Sequence, residues 1–352
     1  MFTDIFKLSH SDKPLNPNTT EKIRNFVHSK SPNTSKFNIP LISEDFIFKQ
    51  LTTLDVSKST GLDGIGPRIL KLSAQVIAKP IQTIFNLSIS RGKFPTMFKE
   101  AKVAPIHKKG PTNDINNYRP ISILPVLSKI LEKHIALHLK NHLEINNLLH
   151  ASQSGFRANH SCETSLLNII DEWLTSLNNK ESVGTIFLDL SKAFDLVNHS
   201  ILTQKLQLYN FSSLSLQWFS SYLSNRSQKV SINGHLSDSK PVLAGVPQGS
   251  VLGPILFIIY INDLPLHTQS DTSVDMFADD TTISSHSKSK TDVQSSLQST
   301  LETISLWCND NMMKINIPKT KAMYLTASSK TSQNLDAPPF ILNGTEIEHS
   351  KC

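Results

Sequence analysis

The stretch MFADDTTI, Met276 to Ile283, sets two carboxylates, Asp279 and Asp280, side by side behind an apolar run. Like charges at adjacent positions repel, so the pairing needs a physical reason. Extended to SVDMFADDTTISSH, the stretch predicts two strands joined at the pair. Inside a strand, neighbouring side chains point to opposite faces. A turn lifts that constraint, so Asp279 can converge with an acid from another strand. The segment SVGTIFLDL predicts such a strand, ending at Asp189. Taken alone, ADDT is a common acidic turn and LDLSKAFD a common helix start. The decision rests on what surrounds them.

Outward from the pair, TDVQSSLQSTLETISLWCNDN predicts an amphipathic helix with Thr291 as its cap, and KAMYLTAS and PFILNGTEIE predict strands. Before it, GSVLGPILFIIYINDL predicts a helix begun after a tight turn. SQKVSING with SDSKPVLAG predicts a hairpin, and helices are expected around Ile201 to Tyr209 and Ser213 to Leu223. Strand, helices, hairpin, helix, acidic hairpin, helix and strand, in that order, give an α+β fold: an antiparallel sheet with helices on one face. Further upstream, Ser43 is placed to cap a helix over SEDFIFKQLTTLDVSKS, and a helical stretch is expected from Pro67 to Ser90. AKVAPIHKKG predicts a short strand closed by a basic turn. YRPISILPVLSKILEKHIALHLKNHL predicts an extended segment passing into a long helix. Residues 1–38 are rich in Ser, Asn, Thr, Lys and Pro and are expected to form a poorly ordered leader or linker, with one short helical segment near Glu21 to His28.

Composition bounds the function class. A chain of 352 residues with 38% hydrophobic and 18% charged residues folds, and two or three subdomains are expected. The net charge of +6 leans toward a polyanionic partner. Cys162, Cys308 and Cys352 form no zinc spacing, and their odd number argues against a disulfide framework, which suits a reducing intracellular compartment. No secretory signal is visible in MFTDIFKLSH, and the apolar run PILFIIYI is far short of the ~20 residues of a membrane span.

FLDLSKAFDLVNH, GVPQGSVLGPILF and MFADD, in this order, resemble the palm motifs of reverse transcriptases, and most closely those of non-LTR (LINE-type) retrotransposons. STGLDGI, KVAPIHKKG, NNYRPISILPVLSKILEK, QSGFRANHSCETSL and NDNMMKINIPKTKAM resemble the same group, so the likeness runs from about Leu41 to the end. One such motif is weak, whereas this many in order are specific. The resemblance implies a right-hand polymerase with an N-terminal extension and fingers over residues 39–180. The palm would cover residues 181–352, ending where the connection to a thumb begins, with the thumb absent or truncated. It implies an RNA-directed DNA polymerase acting in the nucleus or cytoplasm, with template RNA, primer or target DNA and dNTP as partners.

Roles follow by the same resemblance. Asp189 and Asp279 match the metal-binding aspartates and Asp280 a less stringent third, with Mg²⁺ or Mn²⁺ as the ion. Hard carboxylate oxygens suit those cations. Asp195 matches a further acid of the LINE-type motif but could simply cap a helix, and it is not assigned to the metal. Phe194 matches the ring that would collide with a ribose 2′-OH. Gln248 and Gly249 match positions near the nucleotide and template base. Lys108, Lys109 and Arg119 match basic residues that hold the triphosphate, a role suited to cationic donors. Lys319 matches the general acid for departing pyrophosphate, with Lys321 as the alternative register, and Arg157 matches a template-backbone contact. His134, His138 and His142 fall on one helix face at a spacing that could bind metal. They lack an evident acid or Cys partner, so a polar or RNA-facing side is expected.

Other readings are an inactive truncated remnant, or an RNA-binding protein that keeps the palm fold. An RNA-dependent RNA polymerase shares the paired acids, but Phe194 and the FADD form argue against it. A group II intron or retron type fits the HKKG and NNYRPIS spacing less well.

Overall fold

The computed structural model describes residues 13–30, 36–327 and 339–350. In chain order these form helices α1 (Pro17–Lys30), α2 (Glu44–Thr52), α3 (Pro67–Leu72) and α4 (Ala74–Ser90), strands β1 (Glu100–His107) and β2 (Tyr118–Ile123), and helices α5 (Val126–Ile145) and α6 (Cys162–Asn178). Strand β3 (Ser182–Leu188) and helices α7 (His199–Leu208) and α8 (Ser213–Leu223) follow. Next come strands β4 (Arg226–Ile232), β5 (His235–Leu236) and β6 (Lys240–Val242), then helix α9 (Gly253–Ile261). The acidic hairpin is β7 (Thr272–Phe277) and β8 (Asp280–Ser287). Helix α10 (Lys290–Asp310) and strands β9 (Lys321–Leu325), β10 (Ile341–Leu342), β11 (Thr345–Glu346) and β12 (Glu348–His349) complete the order.

Local chemistry explains most boundaries. The Ser43 hydroxyl accepts from the Phe46 amide, and Glu44 and Asp45 sit where the dipole of α2 favours acids. The helical stretch expected from Pro67 to Ser90 is broken at Ser73, and Pro67 opens α3 in the first turn, where a missing N–H costs nothing. Helix α10 is capped by Ser289, whose side chain accepts from the Asp292 amide, so the cap lies two residues before the expected Thr291. Residues 1–12 and Cys352 lie outside the described residues. Within the rest of the expected leader, Pro17–Lys30 is a helix with Ile23 wholly buried and Phe26 and Val27 nearly so. Helix α9 is buried over Ile255–Ile261 on every side, as an all-apolar helix must be. No described helix is long and apolar enough to cross a membrane.

The chain folds as two compact units, and neither is a contiguous block. Of the described residues, the first gathers those within 13–14, 24–148 and 194–257, and the second those within 15–23, 149–193 and 258–350.

In the first unit the strand order is β2-β1-β4-β5, with β6 also on β4. β1 pairs antiparallel with β2, and it pairs parallel with β4 from Glu100↔Ser227 to Val103↔Val230. The expected hairpin is present as β4 against β5 and β6. Its tight end uses Asn233 and Gly234 at φ 50° and 83°, the pairing that suits a two-residue hairpin turn. Beneath, Trp218 stacks on Tyr222 with ring centroids 5.7 Å apart, and Phe94 meets both edge-on. The Trp218 indole N–H donates to Ser88 Oγ at 3.0 Å, which satisfies its buried polar edge.

In the second unit the order is β12-β9-β3-β8-β7. All neighbours are antiparallel except β12 and β9, which run parallel, so the sheet is not purely antiparallel as expected. Helices also cover both faces rather than one. On one face α10 comes so close that a Cβ on Gly184 would lie 2.5 Å from Val293 Cγ1 and 2.8 Å from Leu297 Cδ1. On the opposite face Trp173 of α6 donates to Ser284 Oγ at 3.0 Å and meets the Phe187 ring edge-on. Gly184 and Thr185, the latter hydrogen-bonded to Ser284, are neighbours in β3 and therefore point to opposite faces.

Candidate active site

The second unit assembles the acids. β3 pairs with β8 through Leu188↔Thr281, so Asp189 continues the register opposite Asp280. Asp189 shares a face with Phe187, and Asp280 with Thr282, the partner of Phe187. Phe277 pairs with Asp280, which leaves Ala278 and Asp279 as a two-residue turn, with Ala278 at φ 58°. Strand pairing therefore puts Asp280 across from Asp189, with Asp279 at the tip beside it. The repulsion is felt: local burial first, and the Asp189 charge second, push the Asp280 carboxyl above the usual carboxylate range. On β7 Asp275 is pushed up to about 6, by burial and then by Glu172. Among the described residues, no three His, Cys, Asp or Glu side chains gather into a preformed metal cage.

Asp189 is held by its backbone. Its N–H donates to Thr320 Oγ1 at 3.4 Å, its C=O accepts from the Asn316 amide at 2.8 Å, and Ser191 N–H donates to Lys314 C=O at 2.7 Å. The segment that grips it contains Lys319, exposed at the end of the short 3₁₀ turn Ile317–Lys319. Lys321 opens β9 and pairs with Glu348, so of the two candidate lysines it is the engaged one. Thr320 escaped the sequence reading, although its place between the two lysines marks the same segment.

Arg157 does not project freely. Its guanidinium donates to the carbonyls of His150 and Gln153, at 3.3 and 3.2 Å, and so ties its own loop together.

The first unit holds the other motif residues. Gln248 Nε2 donates to Asp195 Oδ1 at 2.9 Å, so Asp195 orients the glutamine rather than merely starting a helix. Both line a pocket with Pro120, Ser122, Arg226 and Gly245. The Ser122 amide donates to the Gln248 carbonyl at 2.6 Å. Gly249, at φ 110°, approaches so closely that a Cβ there would sit 2.6 Å from the Ser122 oxygen. Glu132, wholly buried on α5, anchors the next turn: its carboxylate accepts from the amides of Val251 at 2.8 Å and Leu252 at 3.2 Å, from Ser128 Oγ and from the Tyr222 hydroxyl. An acid among the mainly apolar inward positions of the helix is the sequence signal for it. Phe194 is half-buried, stacked on Phe257 with centroids 4.3 Å apart, and its carbonyl accepts from Val246.

Lys108, Lys109 and Arg119 are exposed at one end of the β1–β2 pair, where Ile106 opposes Arg119. The histidines depart from the expected RNA-facing side. His134 hydrogen-bonds the Pro40 carbonyl at 2.8 Å and packs edge-on to Phe46, His138 packs on His134, and His142 packs on Phe37. Burial, full for His134 and partial for the other two, holds all three below the ordinary histidine range.

Comparison with known proteins identifies the family. The profile of the family "Reverse transcriptase (RNA-dependent DNA polymerase)" matches residues 106–342. The chain is 32% identical over 330 residues to the RNA-directed DNA polymerase from mobile element jockey of Drosophila melanogaster, covering 92% of this chain and 35% of that protein. It is 32% identical over 285 residues to the probable RNA-directed DNA polymerase from transposon X-element of the same species, covering 78% and 31%. It is 30% identical over 310 residues to that of transposon BS, covering 86% and 34%. The chain thus spans about a third of the length of these relatives. With the ordered motifs, the paired acids and a family match over most of the sequence, the chain belongs to the reverse transcriptases of non-LTR retrotransposons.

Proposed function

We propose that this chain is the fingers and palm of an RNA-directed DNA polymerase that joins a dNTP to a primer 3′-OH on an RNA template. The observation that carries the reading is the juxtaposition of Asp189, at the end of β3, with the Asp279–Asp280 turn of the neighbouring hairpin. A hard divalent cation fits these donors. Mg²⁺ takes one or two protein carboxylates and leaves its other positions to water and phosphate, so a three-ligand protein cage is not needed. The Asp280 carboxyl is raised by burial first and by the neighbouring Asp189 charge second, and a bound cation would offset that repulsion. Asp189 and Asp279 would hold it, with Asp280 secondary, and when bound it would supply charge neutralisation for phosphoryl transfer.

The remaining roles belong to side chains. Lys108, Lys109 and Arg119 offer cationic donors to a triphosphate. Gln248, oriented by Asp195, presents its carboxamide beside the pocket it lines, where it would touch the nucleotide. Phe194 would exclude a ribose 2′-OH. Lys319, exposed within the segment that grips Asp189, would give a proton to pyrophosphate as it leaves. Template contacts would be mainly to phosphates and therefore salt-sensitive.

The test is extension of a labelled primer on an RNA template with dNTPs and Mg²⁺. Incorporation that needs the RNA strand and is lost in Asp189→Ala supports the proposal. Incorporation of NTPs in preference to dNTPs, or activity untouched by Asp189→Ala, would refute it.

A further inference from the structure

The Ala278–Asp279 turn is held in an unusual way. Ala278 is a non-glycine residue in the left-handed region, a conformation that costs roughly 1–2 kcal/mol and persists only where the surroundings impose it. As a turn residue it has no ladder partner for its N–H and C=O, and both lie in a buried place that demands one.

Gln153 supplies them. Its side chain is wholly buried. Its Oε1 accepts from the Ala278 amide at 3.0 Å and from the Gly155 amide at 2.7 Å, while Nε2 faces the Ala278 carbonyl at 3.5 Å. A carboxamide carries an acceptor and a donor side by side, the complement of one residue's backbone. Two N–H groups converge on the same oxygen, so the amide orientation is fixed by the network. The backbone around Gln153 adds a strand-like grip on β7: Ser154 N–H donates to the Met276 carbonyl and Met276 N–H to the Ser152 carbonyl, both at 2.8 Å. Gly155 lets the two chains close. A Cβ there would lie 2.2 Å from the Ala278 nitrogen and 2.9 Å from its Cα, against backbone that cannot swing away.

We propose that Gln153 and Gly155 form a latch that sets the conformation of the Ala278–Asp279 turn, making Gln153 a positioning residue for the Asp279 carboxylate. The inference rests on the reading of Asp279 as a cation ligand for its functional consequence. Its structural half, the hold on Ala278, stands apart from that reading. Residues that orient a metal ligand typically govern about 10–100-fold in metal affinity.

The test uses the whole chain, with Mn²⁺ as the probe. Binding is followed by electron paramagnetic resonance of free Mn²⁺, and amide exchange at Ala278 is followed by mass spectrometry. In the wild type, the Ala278 amide should exchange as slowly as that of Met276. Gln153→Leu, which keeps the volume and removes both polar atoms, should speed Ala278 exchange at least about tenfold and weaken Mn²⁺ binding about 10–100-fold. Gly155→Ala should do the same by pressing on Ala278 directly. A purely structural role would lower the melting temperature without changing Mn²⁺ affinity where both proteins are folded. Ala278 exchanging like an open turn in the wild type overturns the latch even if neither variant folds. Folded variants with unchanged exchange and unchanged Mn²⁺ affinity overturn it too. Asp279→Ala separates the two readings: unchanged Mn²⁺ binding in that variant refutes the cation site. Binding weakened there but not in Gln153→Leu refutes only the positioning role.

Discussion

Replacing Glu132 tests how the Gln248 loop is held. The carboxylate is wholly buried and accepts four hydrogen bonds: from the amides of Val251 and Leu252, from Ser128 Oγ and from the Tyr222 hydroxyl. Glu132→Ala strands the two amides and the phenol, and each buried donor without a partner costs about 1–3 kcal/mol. The groups are neighbours and their costs do not add fully, so the expected loss is about 3–5 kcal/mol. Glu132→Gln should be milder. The amide oxygen can take the position of Oε2, which serves three of the donors. The new NH₂ then meets Ser128, whose hydroxyl can rotate and accept. What is lost is the charge assistance, about 1–2 kcal/mol. Urea unfolding gives both values, and amide exchange at Val251 and Leu252 locates the change. A Glu132→Ala loss under about 1 kcal/mol would refute the anchoring argument. So would a glutamine variant as damaged as the alanine one.

Three further outcomes are expected. His134, His138 and His142 are held below 6.5 by burial, so the unfolded chain takes up protons first. Their stabilising contribution is complete above about pH 6.5 and falls as pH drops below it, a slope that His142→Leu should reduce in urea titrations. Asp275 behaves in the opposite sense. Its folded carboxyl titrates at about 6 against 3.8, so its destabilisation is full above about pH 6 and fades toward pH 4. Asp275→Asn should therefore raise the unfolding midpoint at neutral pH and leave it unchanged near pH 4. Phe194→Val should cut the preference for dNTP over NTP by at least about tenfold in single-nucleotide incorporation, with the dNTP rate less affected.

The sequence carried the local half of the fold well. Ser43 capped its helix, β3 ended at Leu188, one residue before Asp189, and the hairpin turned within a residue of the expected place, at Ala278 and Asp279, because capping, strand patterning and turn chemistry are written within a few residues of one another. What it did not carry was long-range. The parallel pairing of β1 with β4 joins residues more than a hundred positions apart through short strands, and no local pattern marks it. The two-sided cover of the β3–β8 sheet depends on where α6 packs, and the polar composition before residue 38 allowed only a short helical segment near Glu21 to His28, where a helix runs from Pro17 to Lys30 with its few apolar residues buried. The site divides in the same way. The acids were legible as a motif, but the register that sets Asp280 opposite Asp189 was not. Gln153, Glu132 and Thr320 act on backbone atoms, a role that residue type does not announce. The histidine face looked polar because its burial under Phe46 and Phe37 comes from a distant segment.

The acids of the hairpin give the most direct test. Single-dNTP incorporation on an RNA template would be compared in the wild type, Asp279→Asn and Asp280→Asn, each shown to be folded. The account predicts that Asp279→Asn loses about a thousandfold in rate, as expected when a cation ligand worth several kcal/mol is removed, while Asp280→Asn stays within about tenfold. Equal rates in all three proteins, or a loss confined to Asp280→Asn, would contradict it.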